Sequence, residues 1–200
     1  LVINADLPYG STFMWGDGTA IACIPLYSRG IQGIVHHEAG GHGFGKLADE
    51  NIIWPIFIEP NYIKEIQDMK SYGFYDNLSL FGDMYKVPWS HLIFDSHYSN
   101  VVDIYEGGYY FSRGVFRSEL NSCMNNNVPY YSAISREAIV KRIMEYAGEE
   151  YSFEKFKEKD VMSAALPETK SAMPELNIFY QARQQHGPIF MGEKPEFKKN

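Results

Sequence analysis

Residues 36–50, His-His-Glu-Ala-Gly-Gly-His-Gly-Phe-Gly-Lys-Leu-Ala-Asp-Glu, constrain this chain more than any other stretch. A His-Glu pair, a second His about a turn later, a glycine and then an acid follow the order needed to hold a divalent metal with a carboxylate beside it. Histidines that share a metal on a straight α-helix stand four apart, because ~100° per residue brings them round to one face. His37 and His42 are five apart, and a regular α-helix would splay them by roughly 140°. One extra residue can be absorbed by a π-bulge, a widening that tends to occur at functional sites. Gly40 and Gly41 fall inside the interval, where a helix is easiest to distort. The segment is therefore expected to be a locally widened helix on which His37 and His42 converge.

Glu38, next to the first ligand, is placed to act as general base towards a metal-activated water. Downstream, Gly45 is expected to reverse the chain with φ > 0, so that Asp49 or Glu50 completes a three-ligand site with an open fourth position. His36 points a full residue step away from His37 and is expected to pack or to support the ligands rather than to bind the metal. His91, His97 and His186 have no metal spacing and are read as surface or hydrogen-bonded histidines.

Composition narrows the classes. With 45% apolar and 16% aromatic residues in 200, the chain can build a core and is not disordered. Its net charge of −7, with no basic run, argues against nucleic acid as a partner. No apolar stretch reaches the roughly 18 residues of a membrane-spanning helix. The chain begins at Leu1 without a signal-peptide pattern, so an export signal is expected upstream. Cys23 and Cys123 can pair or stand as separate buried thiols.

Residues 1–4 read as a short strand entering a turn over Pro8–Ser11. A second turn at 16–18 precedes a strand over Thr19–Leu26, which Pro25 pushes towards a sheet edge. A helix is expected from about Ser28–Ile31 through the His cluster, ended by Gly43 and Gly45. Asn61 is expected to cap a helix over Tyr62–Tyr72, closed by Gly73. Residues 82–131 read as long packed loops with short strands. Ser135 is expected to cap the clearest helix, Arg136–Ala147, with Ile139, Val140, Ile143 and Met144 on its buried face and Gly148 as its stop. A further helical piece is expected at Tyr151–Lys159. The domain division is 1–165 for the main domain and 166–200 for an irregular tail or the start of another module. Two strands before the metal helix are too few to cover it. Further strands come either from after the helix or from upstream of residue 1, and the second is the expectation.

At this point a resemblance enters. A metal helix, a glycine turn, a third ligand and a later Met124 in a tight turn resemble the metzincins, in which such a Met forms an apolar floor under the metal. His37-Glu38 with Phe44-Gly45-x-Leu47-Ala48-Asp49-Glu50, the Glu106-Gly-Gly-Tyr-Tyr approach and Ser135-Arg136-Glu137-Ala138 resemble the bacterial IgA-specific metalloendopeptidase family. The resemblance covers most of residues 1–147. It implies an α/β (α+β) metzincin-like zincin domain with a zinc helix, a twisted sheet, a Met-turn and a C-terminal helix. It also implies Zn2+ held by His37, His42 and Asp49, with Glu38 as catalytic base. The family pattern is departed from in the extra glycine between the histidines, in the seven-residue step from His42 to Asp49, and in Asn51, which stands where the family has Tyr.

The expected function is zinc-dependent hydrolysis of peptide bonds in a protein or peptide substrate such as immunoglobulin, by a secreted, periplasmic or surface-attached bacterial protein. Tyr109, Tyr110, Tyr130 and Tyr131 are candidates to stabilise an oxyanion only by proximity in sequence, and packing is the expected role of each. The rival is a zincin-like binding module, impaired by the inserted glycine, that docks a host protein or glycan. A structural zinc domain is disfavoured, since such sites have four ligands rich in Cys.

Overall fold

A computed structural model describes residues 2–3, 10–25, 31–161 and 187–194. It is a mixed α/β structure with two mixed sheets and six helices among the described residues. The expected turn over Pro8–Ser11, the helix start before Ile31, His186 and most of the tail lie wholly or partly outside them.

The first sheet runs β1-β3-β2-β8, with β1 Val2–Ile3, β2 Ser11–Met14, β3 Ala20–Pro25 and β8 Ile189–Phe190. The turn at 16–18 makes β2 and β3 an antiparallel hairpin, with Ser11 opposite Cys23 and Met14 opposite Ala20. Gly18, at φ 84°, supplies the left-handed position that this reversal requires. Pro25 does not mark an edge. It ends β3, which is interior, and pairs with Ile3 of β1. One strand of this sheet comes from far downstream, because β8 lies parallel to β2 with Phe13 opposite Ile189.

Helix α1 covers Ile31–Val35 and continues without a break as a π-helix over His36–Phe44. The N–H of Gly45 donates to the carbonyl of Gly40 at 2.8 Å, a five-residue step that carries the extra residue of the motif. Gly45 caps the helix at φ −70°, so the expected reversal there does not occur. The left-handed residue is Lys46, at φ 55°. Gly45 is needed for space instead, since a Cβ there would stand 3.0 Å from both the Gly41 carbonyl and Ile139. Lys46 is held in its conformation by its own ammonium group, which donates to the Gly43 carbonyl at 2.6 Å and lies over the Phe74 ring.

Helix α2 spans Pro60–Ser71, two residues earlier than Asn61 suggests, because Pro60 takes the first helical position, where its missing N–H costs nothing. Its buried Ile66 and Met69 pack on the second sheet, in which β7 (Tyr110–Arg117) pairs with β4 (Ile52–Phe57), β5 (Leu78–Ser79) and β6 (Tyr105–Gly108). The segment expected to be loops with short strands thus contains the eight-residue strand at the centre of this sheet. Phe111, Val115 and Arg117 point inward along it, but the alternation is broken at exposed Arg113 and buried Tyr110, which leaves no clear period of two in the sequence.

Helices α3 (Ser90–Ile93) and α4 (Cys123–Asn126) are short. Helix α5 runs Ala133–Ala147, with Ser132 and not Ser135 at its N-cap, and ends at Gly148 in the left-handed region. Its expected inner face is rotated. Ile134 and Ala138 are buried, Ile139 packs against Leu47 and Met124, and Ile143 is half exposed. Helix α6 covers Phe153–Lys159, and Phe156 joins Trp89, Tyr98 and Ile134 in a second core. No described helix is long and apolar enough to cross a membrane.

Candidate metal centre

The π-helix turns both imidazoles to one side. Their ring centroids are 4.6 Å apart and nearly perpendicular. Asp49, reached by a short extended run after Lys46, places Oδ1 3.0 Å from Nε2 of His37 and Oδ2 3.6 Å from Nε2 of His42. All three residues are buried, and one ligand atom from each lies within 4.8 Å of the others. Ligand atoms on a tetrahedral zinc with bonds of about 2.0–2.2 Å are themselves spaced by roughly 3.3 Å, and the two contacts of Asp49, one oxygen to each imidazole, are of that order.

The donor chemistry also fits a cation. Nδ1 of His37 lies 3.0 Å from the carbonyl oxygen of Cys123, and Nδ1 of His42 lies 2.7 Å from that of Leu47. A carbonyl only accepts, so each Nδ1 carries a proton and each Nε2 is turned towards Asp49, where a metal could take the place of a proton. Such outer hydrogen bonds are the usual means of orienting metal-binding histidines. Burial opposes charge on His37, yet the bond to Asp49 and the nearby Asp49 and Glu38 carboxylates outweigh it and raise its pKa to about 9. Burial likewise opposes ionisation of Asp49, and His42 and His37 overcome it, holding that carboxyl well below its ordinary value. The pocket thus selects for positive charge at its centre, which a proton or a metal can supply.

Glu38 lies on the β2 side. Its Oε2 accepts the hydroxyl of fully buried Thr12 at 2.7 Å, and the same hydroxyl lies 3.0 Å from the Glu38 carbonyl. The chain entering β2 passes so close that a Cβ on Gly10 would be 2.6 Å from Cγ of Glu38. Sequence reasoning misses Thr12, since nothing in Gly-Ser-Thr-Phe distinguishes it.

Beneath the histidines lies α4. Met124 is fully buried, and its thioether fills the space that a Cβ on Gly41 would occupy. The N–H of Glu50 donates to the Met124 carbonyl at 2.8 Å, which ties this turn to the chain just past Asp49. Glu50 itself points away from the histidines. Its carboxylate accepts from Asn77 at 2.9 Å and from Ser122. Of the two acids left open by the sequence, only Asp49 joins the cluster.

Tyr110 corrects the expectation of a packing role. Its hydroxyl donates to Oδ2 of Asp49 at 2.6 Å. The β6–β7 reversal delivers it through four successive positive-φ residues, Gly107, Gly108, Tyr109 and Tyr110. Two of these are not glycine, a strained arrangement held by Tyr109 N–H to the Asp49 carbonyl (3.1 Å) and Tyr110 N–H to the Asn51 carbonyl (2.8 Å). Tyr131 bonds the His36 carbonyl and Tyr130 bonds Glu119, so neither hydroxyl is directed at the cluster. His91 bonds Glu137 at 2.9 Å, and His97 packs edge-on against Tyr98. His36 is exposed, and its expected packing role is not seen. Cys23 and Cys123 are free thiols.

The chain matches no protein-family model and no curated protein.

Proposed function

We propose that this protein is a zinc-dependent metalloendopeptidase of the metzincin-like type that the IgA-specific endopeptidases represent, acting on a protein substrate outside the cytoplasm. The observation that carries the reading is the meeting of His37, His42 and Asp49 across a π-helical turn, with both Nδ1 atoms anchored to backbone carbonyls. His37, His42 and Asp49 would hold the ion. When bound, zinc supplies Lewis acidity that brings the pKa of a water towards about 7.

The rest is the work of the chain itself. Glu38 takes the proton of the attacking water on its carboxylate and passes it to the leaving amine. Thr12 fixes one oxygen of that carboxylate, leaving the other to move the proton. Tyr110 fixes the orientation of Asp49. Met124 fills the space beneath the helix beside Gly41, where it serves as the Met of a Met-turn.

Metal content and cleavage of casein and immunoglobulin A, measured for the parent and for Glu38→Gln, test the proposal. Both proteins should retain zinc, and the substitution should slow cleavage by about 10²–10⁴-fold, the usual contribution of a general base. Zinc retained with no cleavage by the parent would replace the enzyme with the binding module. Cleavage undiminished in Glu38→Gln would remove Glu38 from the reaction.

A further inference from the structure

Beside the metal cluster, sharing Tyr110 with it, lies a cavity of about 330 Å³. Trp54 of β4 and Tyr62 of α2 form one side, with ring centroids 6.2 Å apart. Tyr109 and Tyr110, from the strained β7 tip, form the other, 6.2 Å from Tyr62 and 5.8 Å from Trp54 respectively. Residues 187–190 close it, and a Cβ on Gly187 would be 3.1 Å from Oδ2 of Asp49. The cavity therefore starts where the third ligand of the cluster ends.

Among the described residues, the one charged residue lining it is Glu65, on the turn of α2 after Tyr62. Glu65 is partly buried, and the Tyr109 side chain lies beside its carboxylate. It forms no ion pair among the described residues. The adjacent Lys64 is committed to Asp68. Burial, partly offset by Tyr109 and aided by Asp68, raises the Glu65 pKa, as befits a carboxylate with no cation opposite. Aromatic side chains lining a cavity with one carboxylate that has no ion-pair partner among the described residues favour a cation on a long apolar stem. The rings attract its charge and cover its methylenes, and the carboxylate pairs with its head.

We propose that this cavity is a specificity pocket beside the metal cluster and takes the side chain of an Arg or Lys residue of the substrate, its charged group on Glu65 and its stem against Trp54 and Tyr62. The inference rests on the peptidase reading for its meaning as a subsite, but its binding chemistry can be measured without catalysis.

Two measurements test it on the zinc-loaded chain. In the first, peptide mixtures differing at one position next to the cleaved bond are digested by the parent, Glu65→Gln and Glu65→Lys. The parent should favour Arg or Lys over norleucine at that position by at least tenfold. Glu65→Gln should lower this ratio at least tenfold, and Glu65→Lys should turn the preference to Asp and Glu. In the second, calorimetry on Glu38→Gln compares a capped Arg peptide with its norleucine counterpart, with and without Glu65→Gln. At least tenfold tighter binding of the Arg peptide, lost with Glu65, supports the pocket even if no protein is ever cleaved. Cleavage without a basic preference, or a preference that survives Glu65→Gln, overturns the pocket and leaves the peptidase reading intact. Neither cleavage nor selective binding overturns both.

Discussion

The phenolic oxygen of Tyr110 lies 2.6 Å from Oδ2 of Asp49, so its hydroxyl donates to the carboxylate that His37 and His42 share. With Tyr110 buried and desolvation as the main cause, its pKa is raised well above 10, so the donor keeps its proton at any physiological pH. The contact joins two elements far apart in sequence, the loop after the π-helix and the tip of β7.

Tyr110→Phe keeps the ring and deletes this one bond. Metal affinity, read by competition with a chromogenic chelator, should fall by about 10–100-fold, the usual cost of losing an outer-shell partner. Helix content should be unchanged. Affinity equal to that of the parent would reduce Tyr110 to a wall of the cavity.

Two groups, Glu50 and His37, should each cost the metal-free protein stability as pH rises, whereas Lys46, which burial lowers to about 8, works in the opposite direction above that pH. Glu50, fully buried, has its pKa pushed up to about 7, burial outweighing its bonds to Ser122 and Asn77. His37 has its pKa raised to about 9. A group that binds its proton more tightly when folded contributes stability below its unfolded pKa and loses it as pH rises through the folded one. The first loss spans pH 4.5 to about 7 and the second 6.5 to about 9. Urea unfolding across this range should show both. Glu50→Gln should abolish the first, and zinc should abolish the second by replacing the proton on His37. A flat profile between pH 6.5 and 9 without metal would contradict the ion pair of His37 with Asp49.

Gly41→Ala sets a methyl group against Sδ and Cε of Met124. Overpacking of this kind costs about 1–3 kcal/mol, seen as a lower thermal midpoint. Because the two side chains compete for one volume, Gly41→Ala combined with Met124→Ala should be less destabilised than the sum of the single variants. Strict additivity would mean that the thioether is not held beneath the π-helix.

Asn77 acts as a side-chain substitute for a β-ladder. Its amide oxygen accepts from the Ala48 N–H, and its amide nitrogen lies 2.9 Å from both the Ala48 carbonyl and a carboxylate oxygen of Glu50. Asn77→Ala leaves three buried polar groups without this partner, at about 1–3 kcal/mol for each that finds no replacement. Urea unfolding should show a loss of at least about 2 kcal/mol, and the metal should bind more weakly because Asp49 lies between the two clamped residues. A loss below 0.5 kcal/mol, the scale of an ordinary surface substitution, would argue against the clamp.

The local vocabulary of the site was legible in the sequence. If His37 and His42 are to share one face, their spacing requires a widened helix, because five residues cannot return two side chains to one face at 3.6 per turn, and the glycines between them make it possible. Gly18, Gly73 and Gly148 also mark the reversals expected of them, each at positive φ. Where the backbone's own preferences decide a conformation, the residue type reports it.

What the tertiary structure decided are the partners. Thr12 reaches Glu38 from 26 residues away, Tyr110 reaches Asp49 from 61, and residues 189–190 return to pair with β2. Lys46 and not Gly45 takes the left-handed conformation, and residue 45 is glycine because Ile139 of α5 occupies the space in which a side chain there would stand. Asp49 rather than Glu50 faces the histidines because Asn77 and Ser122 hold the other carboxylate. A threonine, a tyrosine or one of two adjacent acids carries no local signature of its partner, since a hydrogen bond across the fold depends on which surfaces meet, and that is settled only when the core packs.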